Sequence, residues 1–187
     1  ADTIARRRAA GRVVISVNLR DRETGQPFAP ATTTLKLGAH EALIVGVTTD
    51  RLATYRLAIR PQLDLADPVV LGKAKFPALL KNVPVPIVLS HAGLRVDREL
   101  LPLVPDGTLF AGAHDHLHFV HRSGNTVYVH SGSWMDYASI ARLRRAEGGT
   151  LRWDVEQVKL SAGDPVDAPL AELIRKTLSQ HLTAEET

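Results

Sequence analysis

Three histidines lie at two places where a predicted strand gives way to small residues. His91 occurs in Ser-His-Ala-Gly (residues 90–93), and His114 and His116 occur in Gly-Ala-His-Asp-His (residues 112–116). Neutral imidazole is the commonest protein ligand for zinc and related metals. In extended backbone, histidines two residues apart point to the same side and can face one site. The pattern therefore favours a metal or catalytic site; the alternative is three unrelated histidines, each satisfied in a core or at a surface.

Polar residues near these motifs are candidates for supporting roles. Asp115 lies between two candidate ligands, and its carboxylate either orients an imidazole or makes a local turn hydrogen bond. His118, in the next strand, is a candidate for contact with a substrate or with a ligating histidine. His130 ends a later strand, where it either lines the cleft or is an ordinary strand terminus. Surface positions are expected for the remaining histidines: His40, His121 and His181.

The elements that must position these residues follow from the spacing of apolar residues. Continuous or β-branched apolar runs predict buried strands, and loops at the carboxyl ends of such strands are where α/β proteins collect their chemistry. His91 is expected just past the end of its strand, and Asp97 is expected to cap the helix that follows. Strands are predicted over residues 12–17, 33–37, 42–47, 85–89 and 107–111. Helices are predicted over residues 4–10, 71–82 (or from Pro77) and 97–104.

Beyond residue 116 the pattern changes to strands separated by turns, with no helix between them. Turn residues occur at Ser-Gly-Asn (123–125) and Glu-Gly-Gly (147–149). Such a pattern predicts a β-meander. Its strands are predicted over residues 117–121, 126–130, 138–143 and 151–160.

A single helix is predicted near the end of the sequence. Leucine and isoleucine recur at helical spacing from Leu170 to Leu182, after the start signals Asp167 and Pro169. We therefore expect an α/β (α+β) fold of strand–helix units, a β-meander and one linker helix. Residues 1–162 are expected to form the domain, and residues 163–187 a linker helix and a polar tail.

Composition excludes several classes of function. The 187 residues include 44% hydrophobic and 23% charged residues and carry a formal net charge of +3, which is ordinary for a globular protein. The only run of like charge is Arg6-Arg7-Arg8, which is typical of a solvated helix face and does not predict nucleic-acid binding. The absence of cysteine excludes disulfides and thiolate metal sites. No apolar stretch approaches the ~20 residues that a membrane span needs.

Five segments of the sequence, taken in order, have counterparts in one enzyme family. They are Ser16–Leu19, Leu43–Thr49, Leu89–Leu94 with Asp97, Gly112–His116, and His130–Ser133. The third and fourth are similar to the Leu-Ser-His-x-Gly and Gly-Gly-His-x-His motifs of the 5′-nucleotidase branch of the calcineurin-like metallophosphoesterases. The resemblance covers roughly residues 10–160, and Ala113 stands where the family usually has a second glycine.

The resemblance implies a fold, an activity and a set of ligands. The fold is a four-layer α-β-β-α metallophosphoesterase sandwich, of which this chain supplies the C-terminal half. The activity is hydrolysis of a nucleotide or another small phosphate ester by two divalent metal ions. His91 and His114 would bind one ion and His116 the other, and zinc, manganese and iron all suit such ligands. A periplasmic or secreted location is also implied.

One departure from the family limits this expectation. None of the family's Asp-x-His, Gly-Asp-x-x-Asp and Gly-Asn-His-Asp/Glu motifs precedes these segments. We therefore expect the catalytic residues in a missing N-terminal half, so that this chain is one part of a longer or split protein and inactive alone. The alternative is a non-catalytic metal-binding or interaction domain of the same fold. A third hypothesis is a mononuclear hydrolase that uses the three histidines and an open position.

Overall fold

The structure is a computed structural model that describes residues 6 and 9–181. The predicted helix over residues 4–10 and the arginine run at 6–8 therefore lie largely outside the described residues, as does the tail from Thr183. The strands are β1 (Leu19–Asp21), β2 (Thr32–Leu37), β3 (His40–Thr48), β4 (Leu63–Leu65), β5 (Val85–His91), β6 (Leu109–Gly112), β7 (His118–Ser123), β8 (Thr126–Ser131), β9 (Tyr137–Arg145) and β10 (Leu151–Lys159). The helices are α1 (Pro68–Leu79), α2 (Leu94–Leu100) and α3 (Ala168–His181), with 3₁₀ turns at Leu52–Thr54, Leu57–Gln62 and Leu101–Leu103.

A six-stranded mixed sheet forms the centre of the fold, in the order β2-β3-β5-β6-β8-β7. The pairs β3–β5, β5–β6 and β6–β8 are parallel, whereas β2 and β7 run antiparallel to their neighbours at the two edges. The carboxyl ends of the parallel strands therefore meet at one end of the sheet, where His91 is paired with Thr48 and Ser90 with Gly112. The expected mixed α/β architecture is confirmed.

The strands after residue 116 do not form one meander, so this prediction is wrong. β7–β8 is a hairpin within the large sheet, and β9–β10 is a separate two-stranded sheet. The reason is that β8 already pairs with β6 on one side and with β7 on the other, so β9 finds no free edge there. The second hairpin instead packs as a layer of its own.

The large sheet is covered on both faces because successive strand residues point to opposite sides. On one face, Val88 packs with Phe76 of α1 and Leu100 of α2, all fully buried. On the other face, Ile87 packs with Trp153 of β10, whose indole donates to the Gly107 carbonyl at 3.1 Å. Full burial of such side chains contributes about 1.5–3 kcal/mol each. The layers are thus helices, large sheet and hairpin.

The strand predicted over residues 12–17 is not formed. Ser16 donates from its amide to the carbonyl of Pro30, and Val17 to that of Gly46, at 2.9 and 2.8 Å. Because these two bonds reach different segments, no continuous ladder develops. The segment instead crosses closely over β3, where a Cβ at Gly46 would lie 2.7 Å from the carbonyl oxygen of Ile15.

Two helix starts differ from their predictions. α1 begins at Pro68, because the Asp67 carboxylate caps it by accepting from the amides of Val69 and Val70 and proline suits the first turn. Asp97 does not cap α2: the residue before that helix is Gly93, with φ of 91°, and Asp97 lies inside the first turn with its side chain fully buried. No helix among residues 6 and 9–181 is long and apolar enough to cross a membrane.

Candidate metal centre

His91 and His114 lie next to each other at the carboxyl end of the sheet. Their ring centroids are 5.2 Å apart, with the rings edge to face at 79°. His91 is the last residue of β5, and His114 follows the adjacent parallel strand β6 by two residues. The structure therefore brings together one histidine from each of the two motifs, as their positions at strand ends predict.

His116 is placed by a turn rather than by extended backbone. His114 and His116 both have left-handed backbone, with φ of 87° and 57°. The expectation that two histidines spaced i, i+2 share a side assumes strand geometry, and the loop between β6 and β7 is not extended, so that argument does not apply here. The ring of His116 lies edge-on to that of Trp134, with a centroid distance of 5.6 Å.

Asp115 connects this loop to helix α2. Its carboxylate accepts a hydrogen bond from the amide of Leu94, 21 residues earlier, at 2.5 Å. The bond is a long-range contact rather than a local turn. It holds the loop that carries His114 and His116 against the start of the helix that follows His91.

A buried polar cluster lies beneath the two histidine motifs, and we name Ser90, Asp97, Tyr128 and His130 the Asp97 cluster. The carboxylate of Asp97 accepts from the hydroxyls of Ser90 and Tyr128 at 2.5 and 2.9 Å. Tyr128 also bonds His130 Nε2 at 2.7 Å, and the His130 ring stacks on Phe119. Burial, followed by the charge of Asp97, raises the pKa of Tyr128. His130 is 2% exposed, so it supports the sheet end from inside.

Sequence reasoning misses most of this cluster. The sequence pattern assigns Asp97 to a helix cap and Tyr128 only to a strand. One usable signal is the i, i+2 spacing of Tyr128 and His130, which places both side chains on one face of β8. Partners from three separate elements are not visible in any local pattern.

The loop after β8 presents two large apolar side chains, one of which, Trp134, contacts His116. Trp134 and Met135 are 84% and 80% exposed and have left-handed backbone, with φ of 55° and 66°. Left-handed backbone is rare for bulky residues and is often found at functional sites. His118, also exposed, stacks on Tyr137 at a centroid distance of 3.7 Å. Of the remaining histidines, His121 is exposed, His40 is partly buried and the side chain of His181 lies outside the described residues.

The electrostatics of the site favour a neutral His91. Partial desolvation of its ring lowers the pKa of His91, and the neighbouring His114 and His116 lower that pKa further. The carboxylates of Asp115 and Asp97 act in the opposite direction. A neutral imidazole is the form that ligates a metal ion, so binding requires no deprotonation of His91 at neutral pH.

The residues present fit part of a metal centre. Two adjacent imidazoles suit zinc, manganese or iron, but a protein site for such ions usually has at least three ligands. Within residues 6 and 9–181, no group of three or more His, Cys, Asp or Glu side chains has the arrangement of a metal site. His91 and His114 therefore fit two ligand positions of a metal site that needs further ligands.

Known structures show which fold this arrangement belongs to, although no protein-family model and no curated protein matches the sequence. The sulfate thiohydrolase SoxB of Thermus thermophilus matches with a TM-score of 0.74 and 21% identity, over 91% of this chain and 32% of that one. A 5′-nucleotidase precursor, also of Thermus thermophilus, matches with a TM-score of 0.70 and 20% identity, over 95% and 39%. The NAD nucleotidase of Haemophilus influenzae matches with a TM-score of 0.65 and 12% identity, over 90% and 45%.

This chain thus spans between 32% and 45% of the length of those three structures. The resemblance drawn from the histidine motifs is confirmed at the level of the fold. The chain has the metallophosphoesterase fold of the 5′-nucleotidases and SoxB, over part of the extent of those proteins.

Proposed function

We propose that this chain supplies histidine ligands to the two-metal centre of a phosphoric ester hydrolase of the 5′-nucleotidase type. One observation carries the proposal: His91 and His114 meet at 5.2 Å where two parallel strands end, in a chain with the metallophosphoesterase fold. The carboxyl ends of parallel strands are where open α/β sheets bind their ligands.

Each histidine has a separate task in this proposal. His91 and His114 would hold one divalent ion, and His116, on the other side of Asp115, would hold the second. When bound, such ions neutralise phosphoryl oxygens and lower the pKa of a coordinated water. The lowered pKa of His91 supports this role, because the ring is available as a neutral donor. Zinc, manganese and iron are equal candidates on chemical grounds.

The remaining ligands and the catalytic residues would come from an N-terminal half of the same domain. Two adjacent imidazoles cannot by themselves hold two dications, so carboxylates are needed. Leu89 supports such a partner: it shares a strand face with Val85 and Ile87, which are 1% and 6% exposed, yet it is itself 45% exposed. The hairpin β9–β10 therefore leaves the sheet face beside His91 open to another segment.

The substrate in this proposal is a small phosphate ester, and a nucleotide is the first candidate. Two of the similar structures are named as nucleotidases, while the third is named as a sulfate thiohydrolase, so the shared fold does not by itself select the ester. We also propose a periplasmic or secreted location, in line with the precursor form of the Thermus 5′-nucleotidase.

Metal binding by the 187-residue chain tests the ligand assignment. We expect Zn²⁺ titration calorimetry to show binding that weakens at least tenfold in His91→Ala and in His114→Ala, because loss of a residue that merely orients a ligand already costs about 10–100-fold and a lost ligand costs no less. His121→Ala, an exposed histidine of β7, is the matched control and should leave the affinity unchanged. Equal Zn²⁺ affinity in all three variants would contradict the assignment.

Catalysis is tested in the assembly of this chain with its other half. Hydrolysis of AMP that is lost in His114→Ala and kept in His121→Ala would support the hydrolase. The assembly could instead bind Zn²⁺ through His91 and His114 and yet hydrolyse neither AMP nor p-nitrophenyl phosphate. That result would favour the non-catalytic metal-binding domain.

A further inference from the structure

We propose that Asp97 is a positioning residue, whose buried carboxylate fixes the two strand ends that carry His91 and His114. Asp97 is fully buried in the first turn of α2, and the Asp97 cluster around it lies directly beneath both strand ends. The role as a support for metal ligands rests on the proposed function. The claim that Asp97 fixes the positions of the His91 and His114 rings does not rest on the proposed function, and it can be tested in the metal-free chain.

The link to His91 runs through Ser90. The Ser90 hydroxyl donates to Asp97 Oδ1 at 2.5 Å and accepts from the amide of Ala92 at 3.2 Å. These two bonds hold the backbone on both sides of His91. Rotation of the peptide units around His91 would break one of them and leave a buried polar group unpaired, which is unfavourable.

The link to His114 runs through Gly112, which lies against the cluster without any side chain between them. A Cβ at position 112 would lie 2.2 Å from His130 Nε2, 2.6 Å from Asp97 Oδ2 and 2.7 Å from Tyr128 Cε2. The backbone of β6 therefore rests on the cluster two residues before His114. A shift of the carboxylate or of the imidazole changes the position of this strand end directly.

The hydrogens of the cluster follow from its geometry. Tyr128 has one hydroxyl proton, which it donates to Asp97 Oδ2, so its oxygen must accept from a proton on His130 Nε2. The resulting chain runs from His130 through Tyr128 to Asp97. Among the described residues, no buried side-chain nitrogen or oxygen lacks a partner. A fully satisfied buried network of this kind is rigid and specifies one arrangement.

Helix α2 also contacts the second histidine motif, through its first residue, Leu94. The amide of Leu94 donates to Asp115, between His114 and His116, while Asp97 of the same helical turn accepts from Ser90. One helical turn thus contacts both histidine motifs. The position of α2, set by Asp97, determines the distance between the two imidazoles.

The test compares Asp97→Asn with a control of equal burial in the full chain. Asn has the size of Asp but cannot accept from both hydroxyls through two carboxylate oxygens. We expect Asp97→Asn to weaken Zn²⁺ affinity about tenfold, the lower limit for residues that orient metal ligands. In the metal-free chain, the imidazole ¹⁵N resonances of His91 and His114 should also shift, while that of His121 stays in place.

The matched control is Thr108→Val, at the opposite end of β6. Thr108 is also fully buried, and its hydroxyl donates to the Pro105 carbonyl at 2.6 Å. It should lower thermal stability without changing Zn²⁺ affinity or the ring resonances of His91 and His114. If Asp97→Asn alters affinity and resonances no more than Thr108→Val does, the positioning role is overturned.

A milder variant covers the case in which Asp97→Asn fails to fold. Ser90→Ala removes only the hydroxyl that connects Asp97 to the backbone around His91, and the His91 resonance should move; an unchanged resonance overturns the proposal. Lack of Zn²⁺ binding both by the unsubstituted chain and by its assembly with an N-terminal half would overturn the proposed metal centre instead. The ring resonances of the metal-free variants would still decide the role of Asp97.

Discussion

Two carboxylates bond to the backbone segments that carry the histidine motifs. The histidine rings contact each other at the surface, but their backbone is held from below by Asp97 and from the side by Asp115. A metal ligand must be placed to within a few tenths of an ångström, and residues that lock the backbone provide this accuracy. Single-atom changes beneath the site should therefore have large effects.

Gly112→Ala is the smallest change that tests this packing. The added methyl would overlap the imidazole of His130 and the carboxylate of Asp97, so we expect the free energy of unfolding to fall by about 1–3 kcal/mol, as in other overpacked cores. Chemical denaturation measures this difference. Gly163→Ala adds the same methyl where its nearest neighbour is 4.0 Å away, and it should change stability by less than about 0.5 kcal/mol. Equal stability of the two variants would contradict the packing described for Gly112.

At the scale of elements, strands can be predicted from the sequence where apolar runs are continuous. Which strands pair with each other cannot be predicted in this way. The strands predicted over residues 42–47 and 85–89 are confirmed and lie in the middle of the sheet. The separation of β9 from β8 depends on which edges of β8 are already paired, and this information is not contained in the run itself. The convergence of His91 and His114 is predictable because the sequence places both at the ends of strands, whereas the turned backbone around His116 is not predictable.

The turn between β7 and β8 is bonded to a carboxylate of the loop that precedes β6. Asp106 accepts from the amide and the side-chain nitrogen of Asn125, at 2.8 and 2.7 Å. These bonds lower the pKa of Asp106 below its usual value of 3.8. Because the unfolded chain binds this proton more readily, the bonds stabilise the fold above pH 3.8 and lose their effect as the pH falls through the lower folded value.

We therefore expect Asp106→Ala to be less stable than the unsubstituted chain at pH 6, with the difference shrinking below pH 3.8. Urea unfolding at a series of pH values measures it. A difference in stability that stays constant down to pH 2 would show that the Asp106 contacts do not depend on its charge.

At the scale of the whole molecule, helix α3 lies apart from the packed layers. Every residue of α3 from Ala168 to Gln180 is exposed, including Leu170, Leu173, Ile174 and Leu178. This is the region that the sequence assigns to a linker helix and tail, and the division at residues 162 and 163 stays a prediction. A helix of 14 residues whose side chains are exposed in this way is only marginally stable in water.

Removal of residues 163–187 should therefore leave the thermal midpoint of the chain unchanged within about 2 °C, since residues 163–180 are all exposed. Scanning calorimetry of the shortened chain checks this. In the unsubstituted chain, amides of α3 should exchange with solvent much faster than those of β5 and β6. A midpoint lowered by several degrees would show that α3 packs on the domain in solution.

The two tryptophans of the chain occupy opposite environments. Trp153 is 3% exposed between the sheet and the hairpin, while Trp134 is 84% exposed with its ring beside His116. Indole emission moves to longer wavelength with exposure to water, so the intrinsic fluorescence divides into two signals. A small quencher in solution can contact the indole of Trp134 and reduce its fluorescence, whereas the buried indole of Trp153 is protected from it. The emission that it removes reports on the surroundings of His116, and the emission that survives reports on folding.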